Sequence, residues 1–211
     1  MCFSPQADLV GGMVVGGLAI DACRHVSHRR ERALAAVPVV LAVHQLVEVP
    51  VWLGLEHHVS ATVWRPAMYA YLVIAFVVVP ILVPLAVGGL EPQDNRGRVG
   101  LFLGMGVVVA AVLGHGLAGG PVTARIVGHH ISYQAHDLAY GGVLVVAYLM
   151  ATCGSMLVSH TRDVRRFGLV NLVAAIALAT LYQNGFISLW CAWAAVTSLL
   201  IAWHLRRGSG G

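Results

Sequence analysis

His44, Glu48 and Trp52 recur at four-residue intervals, so on an α-helix they share one face, with Gln45 beside them. The surrounding stretch is apolar, and an ionised carboxylate at membrane depth costs at least a few kcal/mol. Glu48 must therefore be protonated, paired, or open to a water-filled cavity. One reading is structural: a hydrogen-bonded His44–Glu48 pair that locks this helix to a neighbour. The other is chemical, since a carboxylic acid kept neutral in a dry pocket is a competent general acid. Glu48, with His44 or Asp137 as partner, could then protonate a lipid-soluble substrate. Gln45, Trp52, Tyr69, Tyr133 and Tyr140 are the candidate lining, and aromatic faces stabilise a developing carbocation by cation–π attraction. For most of these aromatics the plainer alternative is a place in an interfacial belt.

The same residues permit a metal-based alternative. His115, His129, His130, His136, His57 and His58 all fall toward the side of the chain that carries Glu48. Three or four imidazole and carboxylate ligands suit zinc, copper or non-haem iron, and His44, Glu48, His115 and His136 are the set that could hold a divalent ion. No His-x-x-x-His or Cys-x-x-Cys spacing occurs, so the acid–base reading, which needs no cofactor, is preferred. Cysteine placement suggests a covalent tie: Cys2 and Cys191 both fall on the outer side, where disulfides persist. The expectation is a bridge between them, with free cysteines in a dry bundle as the alternative.

The elements that must position these groups follow from composition. The chain has 211 residues, of which 58% are hydrophobic and only 10% charged, whereas a soluble domain carries about 25% charged residues. A hydrocarbon core of about 30 Å needs roughly 20 apolar residues per helix. Spans are predicted at 8–23, 33–55, 66–88, 99–118, 138–158, 168–184 and 187–205. They form one domain over 1–207 with a short tail at 208–211, and the N-terminus lacks the basic start of a cleaved signal peptide. Pro80 and Pro84 are expected to kink the third span. The connector 119–137, rich in glycine and histidine, is long enough to be functional or mobile.

All 13 basic residues are arginine. The absence of lysine excludes a retinal-type Schiff base and any lysine nucleophile. Eleven of the arginines fall on alternate connectors, leaving Arg65 and Arg125 on the other side. The positive-inside rule then puts the N-terminus outside and the C-terminus in the cytoplasm. Arginines placed between apolar runs mark topology and argue against nucleic acid as a partner.

Met1-Cys2-Phe3-Ser4, His44-Gln45-Leu46-Val47-Glu48 with Val51-Trp52, Glu91-Pro92 and Ser188-Leu189-Trp190-Cys191 resemble a family of small bacterial membrane proteins, common in actinomycetes, that carries only a domain-of-unknown-function label. The resemblance runs over most of the chain and implies a multi-helix membrane fold without an activity. Size, helix number and an intramembrane Glu followed by Trp also look like the small membrane-bound terpene cyclases, which protonate a prenyl chain with an acidic residue and no metal. That likeness carries over to Glu48, with Asp137 as a second acid. The expected protein is an all-α, seven-helix bundle in a bacterial cytoplasmic membrane. It would act as a cyclase- or isomerase-like enzyme on a lipophilic, prenylated substrate, with membrane lipids around it. A metal-binding hydrolase or redox protein, and a transporter or accessory subunit of a membrane complex, are the rival classes.

Overall fold

Ser4 and Pro5 set where the first helix begins. Ser4 is extended and its Oγ accepts the Ala7 amide at 3.2 Å, while Pro5 occupies a first-turn position that needs no amide donor. The computed structural model describes residues 4–128, 130–135, 141–181 and 186–208, with the side chains of all of these except 135, 177–181, 186–193 and 208. Within them the chain is mostly helical and contains seven helices. Helix α1 runs Pro5–Arg24, α2 Arg32–Leu55, α3 Ala61–Leu90 and α4 Gln93–Gly119. Helices α5 (Gly141–Leu157), α6 (Arg162–Leu181) and α7 (Phe186–Gly208) complete the set. Each predicted span falls on one of them. The first four are long and apolar enough to cross a membrane. Large apolar side chains point outward, with Leu101 75%, Val108 62% and Val143 77% exposed. A water-facing surface of a monomer rarely shows so many.

The prolines of α3 act through a widened turn. Pro80 has no amide to donate, and its ring crowds the carbonyl four residues back. The backbone at Ile74–Val78 accordingly opens into a π-helical turn. A carbonyl in that turn is used: the Tyr148 hydroxyl donates to the Ala75 oxygen at 2.9 Å, fastening α5 to α3. A second π-helical turn, Met150–Gly154, lies in α5 itself.

The connector between α4 and α5 is not an irregular loop. Strands β1 (Val122–Val127) and β2 (His130–Ala135) pair antiparallel, with Ala124 opposite Tyr133 and Val127 opposite His130. Gly128 takes the positive φ of 60° that the tight turn requires. Alternation along the strands puts Val122, Ala124, Ile131 and Tyr133 on one face. That face packs on a core of Val51, Trp52, Met68, Tyr71, Leu72 and Leu117. The hairpin departs from the expected all-α fold, because an alternating apolar–polar stretch buries one face most simply as a strand pair laid on the bundle end.

The opposite end of the bundle is closed differently. Ala22, Ala35, Ala86, Ile201, Ala202 and Leu205 form its core. Arg206 of α7 grips Asp21 of α1 with Nε–Oδ2 at 2.7 Å and Nη2–Oδ1 at 2.8 Å, a bidentate pair. Glu91, 1% exposed, joins the α3–α4 turn to the α5–α6 turn. Its Oε1 accepts the Ser159 hydroxyl, and its Oε2 accepts Asn95 Nδ2 at 2.6 Å and the His160 amide at 2.9 Å. Asn95 Nδ2 also reaches the Val158 carbonyl at 3.0 Å.

Burial pushes the Glu91 carboxyl up, but the bonds from Ser159, Asn95 and the His160 amide outweigh it and hold the group below the usual carboxylate value. A depressed native pKa contributes stability above the unfolded value, and that contribution is lost as pH falls through the native one. Glu91→Gln should therefore destabilise the protein near neutrality by about 1–3 kcal/mol, the cost of stranding buried donors. The gap between variant and wild type should close as the medium is acidified below the ordinary carboxylate range. Thermal unfolding in detergent across acid to neutral pH measures both, and a gap independent of pH would rule out the Glu91 latch.

Candidate active site

Helix α2 places His44, Glu48 and Trp52 on one buried face, as their spacing requires; they are 7%, 1% and 3% exposed, and Gln45 beside them is 2% exposed. Glu48 Oε1 accepts the Tyr133 hydroxyl at 3.0 Å, a bond that spans 85 residues of sequence. The Tyr71 hydroxyl of α3 is hydrogen-bonded to the same carboxyl. The Tyr71 ring lies between two others, stacked on His44 at 3.9 Å and on Tyr133 at 5.1 Å, each with an interplanar angle of 26°. A column of Tyr133, Tyr71 and His44 thus walls one side of the carboxyl. The face of the hairpin delivers the first ring, α3 the second and α2 the third.

A second acid enters from α1. Asp8 is 1% exposed, and its Oδ2 accepts the Trp52 indole N–H at 2.9 Å. It lies close enough to Glu48 for the two carboxyls to interact electrostatically. The approach of α1 depends on Gly12, where a Cβ would come within 2.6 Å of Leu46 Cδ2. Two buried acids, an imidazole, an indole and two phenols therefore converge between α1, α2, α3 and β2. Among the described residues, Asp8 Oδ1, His44 Nε2 and Glu48 Oε2 are buried with no hydrogen-bond partner. Buried polar groups are normally satisfied, so three such atoms on three neighbouring residues make this cluster the candidate site.

The remaining candidates divide. Tyr69 is 37% exposed; its hydroxyl faces the Val122 amide at 3.5 Å, at the start of the hairpin rather than at the acids. Tyr71, two residues on, takes the place expected of it. His115 is exposed on α4, and His57 and His58 are exposed beyond the end of α2. Among the described residues, no three His, Cys, Asp or Glu side chains gather in a way that could hold a metal ion. Asp137, Tyr140, His129, His136, Cys2 and the side chain of Cys191 lie outside the described residues.

Asp8 and Tyr71 were missed by sequence reasoning. Asp8 had a signal: it is an acid in the first turn of an otherwise apolar helix, where α-helices favour negative charge and the residue reads as a terminal ornament. The buried Trp52 indole, which needs an acceptor, was the better clue. Tyr71 had none, because Tyr69 and Tyr71 lie in one apolar helix and only its packing against Val51 and Trp52 of α2 decides which turns inward.

Toward the arginine-rich end, a cavity of about 450 Å³ opens between α2, α3, α5, α6 and α7. Leu41, Val83 and Ile201 are among its mostly apolar walls; Thr152, Asn171 and Thr197 are polar points, and Asp163, Arg166 and His204 also line it. Its wall on α2 runs through Leu34, Val37, Val40 and Leu41, ending one turn short of His44. Glu48 is not among the residues that line this cavity.

A family of unknown function, DUF6629, matches residues 1–210. No curated protein matches the chain, and no solved structure does.

Trp52→Phe should destabilise the protein by about 1–3 kcal/mol, because Asp8 then loses its one described donor in a buried setting. Tyr69→Phe should stay within about 0.5 kcal/mol of wild type, as surface substitutions do. Denaturation of the two variants in the same detergent compares them directly, and equal effects would contradict the placement of the two aromatics.

Proposed function

The chain belongs to DUF6629, a family of unknown function, so its chemistry has to be read from its own site, and we propose that it is an intramembrane acid–base enzyme acting on a lipophilic substrate. The observation that carries this reading is the buried Asp8–Glu48 pair, each acid holding one oxygen in a hydrogen bond and one without a partner. Neighbouring acids with different surroundings are how one site supplies both a proton donor and a proton acceptor. Glu48, fixed by Tyr133, protonates a carbon–carbon double bond. The neighbouring carboxylate, or His44, removes a proton from an adjacent carbon. The net reaction is an isomerisation or cyclisation that consumes no oxidant, reductant or metal. Tyr133 and Trp52 offer faces to the cation formed between the two steps, and Tyr71 backs the Tyr133 ring. The mostly apolar cavity that ends one turn from His44 is suited to the hydrocarbon body of such a substrate, and its volume is within the range of about 300–1,000 Å³ typical of small-molecule sites. A prenylated substrate fits both features.

The same reading makes the chain a multi-pass protein of a bacterial cytoplasmic membrane. Its seven helices put the Glu48 end outside and the arginine-bearing connectors in the cytoplasm. The apolar helices, the outward-facing Leu101, Val108 and Val143, and the alternation of arginines support it. Single cysteines introduced at Ser60 and at Thr161, in a background lacking the native cysteines, should be labelled by an impermeant maleimide from outside only at Ser60. The opposite pattern would invert the topology.

For the reaction, purified protein incubated with prenylated substrates in D₂O should give product carrying one solvent-derived deuteron. Glu48→Gln should reduce turnover at least about 100-fold, the range that a general acid contributes, while keeping the wild-type elution profile; Asp8→Asn should do the same. Unchanged turnover in a folded Glu48→Gln variant removes the proposal.

A further inference from the structure

At the end of the bundle opposite Glu48, four arginines from two separate connectors meet. Arg29 and Arg30 lie in the 3₁₀ turn ahead of α2, Arg32 opens α2, and Arg96 lies in the first turns of α4. Together they line a crevice of about 490 Å³ between α2, α3 and α4, whose floor includes Leu85 and Leu103. The turn carrying Arg29 and Arg30 is pressed against α3 at Gly89, where a Cβ would overlap the Arg30 carbonyl oxygen. Only glycine permits that approach, so the convergence of the two connectors is built into the backbone.

The crevice keeps its positive charge because the acids nearest in sequence are committed elsewhere. Glu31 Oε2 accepts the Ser27 amide at 2.8 Å and the His28 amide at 3.1 Å, capping its own turn. Glu91 is enclosed by Ser159, Asn95 and the His160 amide. Arg96 spends its Nε on the Glu91 carbonyl at 3.1 Å, which leaves its terminal nitrogens free to reach another acceptor. Asp94 is exposed, and among the described residues it pairs with none of the four. By contrast, Arg206 and Arg166, elsewhere at this end of the bundle, each have an aspartate partner.

We infer that this crevice is a binding site for the phosphate headgroup of an anionic phospholipid in the leaflet facing the arginines. Guanidinium groups present paired donors that match phosphate oxygens, and basic pockets between helices at this face of a membrane take such headgroups. The apolar floor formed by Leu85 and Leu103 distinguishes an amphiphile from a free anion, since it offers a path for the acyl chains alongside α3 and α4. Four arginines gathered in one crevice, none of them ion-paired among the described residues, also exceed what orientation in a membrane asks for, because orientation needs only that they be on the same side. The inference rests on the membrane reading above and is independent of Glu48.

Native mass spectrometry of detergent-purified protein, titrated with phosphatidylglycerol and with phosphatidylcholine, tests it. Wild type should retain phosphatidylglycerol at least about tenfold more tightly than phosphatidylcholine. Affinity should fall about fivefold for each arginine removed, in Arg96→Gln alone and in the combined Arg29→Gln, Arg30→Gln and Arg32→Gln variant. Removing three charges from another connector, as Arg162→Gln, Arg165→Gln and Arg166→Gln, should leave retention near wild type. If the combined variant elutes as aggregate, Arg96→Gln decides. Equal retention of the two lipids, equal loss in the Arg162 set, or displacement of the lipid by millimolar inorganic phosphate would each overturn the inference. Recovery of wild-type protein in the soluble fraction of lysed cells would instead refute the membrane reading itself, so the two failures are distinguishable.

Discussion

A carboxyl group in an apolar bundle has to find hydrogen-bond donors within the protein, and Glu48 finds them in Tyr133 and Tyr71. That requirement organises one whole end of the molecule. Tyr133 reaches Glu48 only if β1 and β2 pair in the register that sets Ala124 opposite it. The face so defined brings Ile131 and Val122 onto the core around Trp52, Met68 and Leu72. Trp52, in turn, holds Asp8 and with it the start of α1. Four elements far apart in sequence are joined through one buried polar group and its immediate neighbours.

The other end is held by polar groups whose oxygens all have donors. Glu91 has three donors, and the Asp21–Arg206 pair is bidentate. The contrast between the ends is informative. A latch is most stable when each polar atom has a partner, and both oxygens of Glu91 have one. The cluster at Asp8, His44 and Glu48 leaves one atom on each residue unmatched. Stability alone would favour filling those places or replacing the acids with apolar residues. The unsatisfied acids in the interior are the observation that supports the proposed chemistry at that end.

Much of the fold was legible because the dominant constraint is one-dimensional. Apolar runs of about twenty residues place every helix, with starts up to six residues off because the helices extend into polar first turns such as 93–98 and 162–167. The face shared by His44, Glu48 and Trp52 was equally legible, because helical periodicity fixes it. The hairpin was harder to see. Val122-Thr123-Ala124-Arg125-Ile126 does alternate, but five or six residues of alternation beside glycines and histidines compete with a loop, and only packing on α2 and α3 decides between them. Asp8 was hidden by its place at a helix start, where an acid has an ordinary local reason to be.

The sequence by itself therefore determined that seven apolar segments become helices, that their arginines alternate, and that one carboxyl, one imidazole and one indole share a helix face. These are properties of neighbours in the chain. Tertiary structure alone decided that Asp8 would be the second acid, that Tyr71 rather than Tyr69 would turn inward, and that Tyr133 would close the site. It also decided that Arg96 would join Arg29, Arg30 and Arg32 around one crevice. Each of these is a contact between segments separated by tens of residues, and no local pattern encodes such a contact. It follows from how closely helices can approach at Gly12 and Gly89, and from where a buried acid can find a donor.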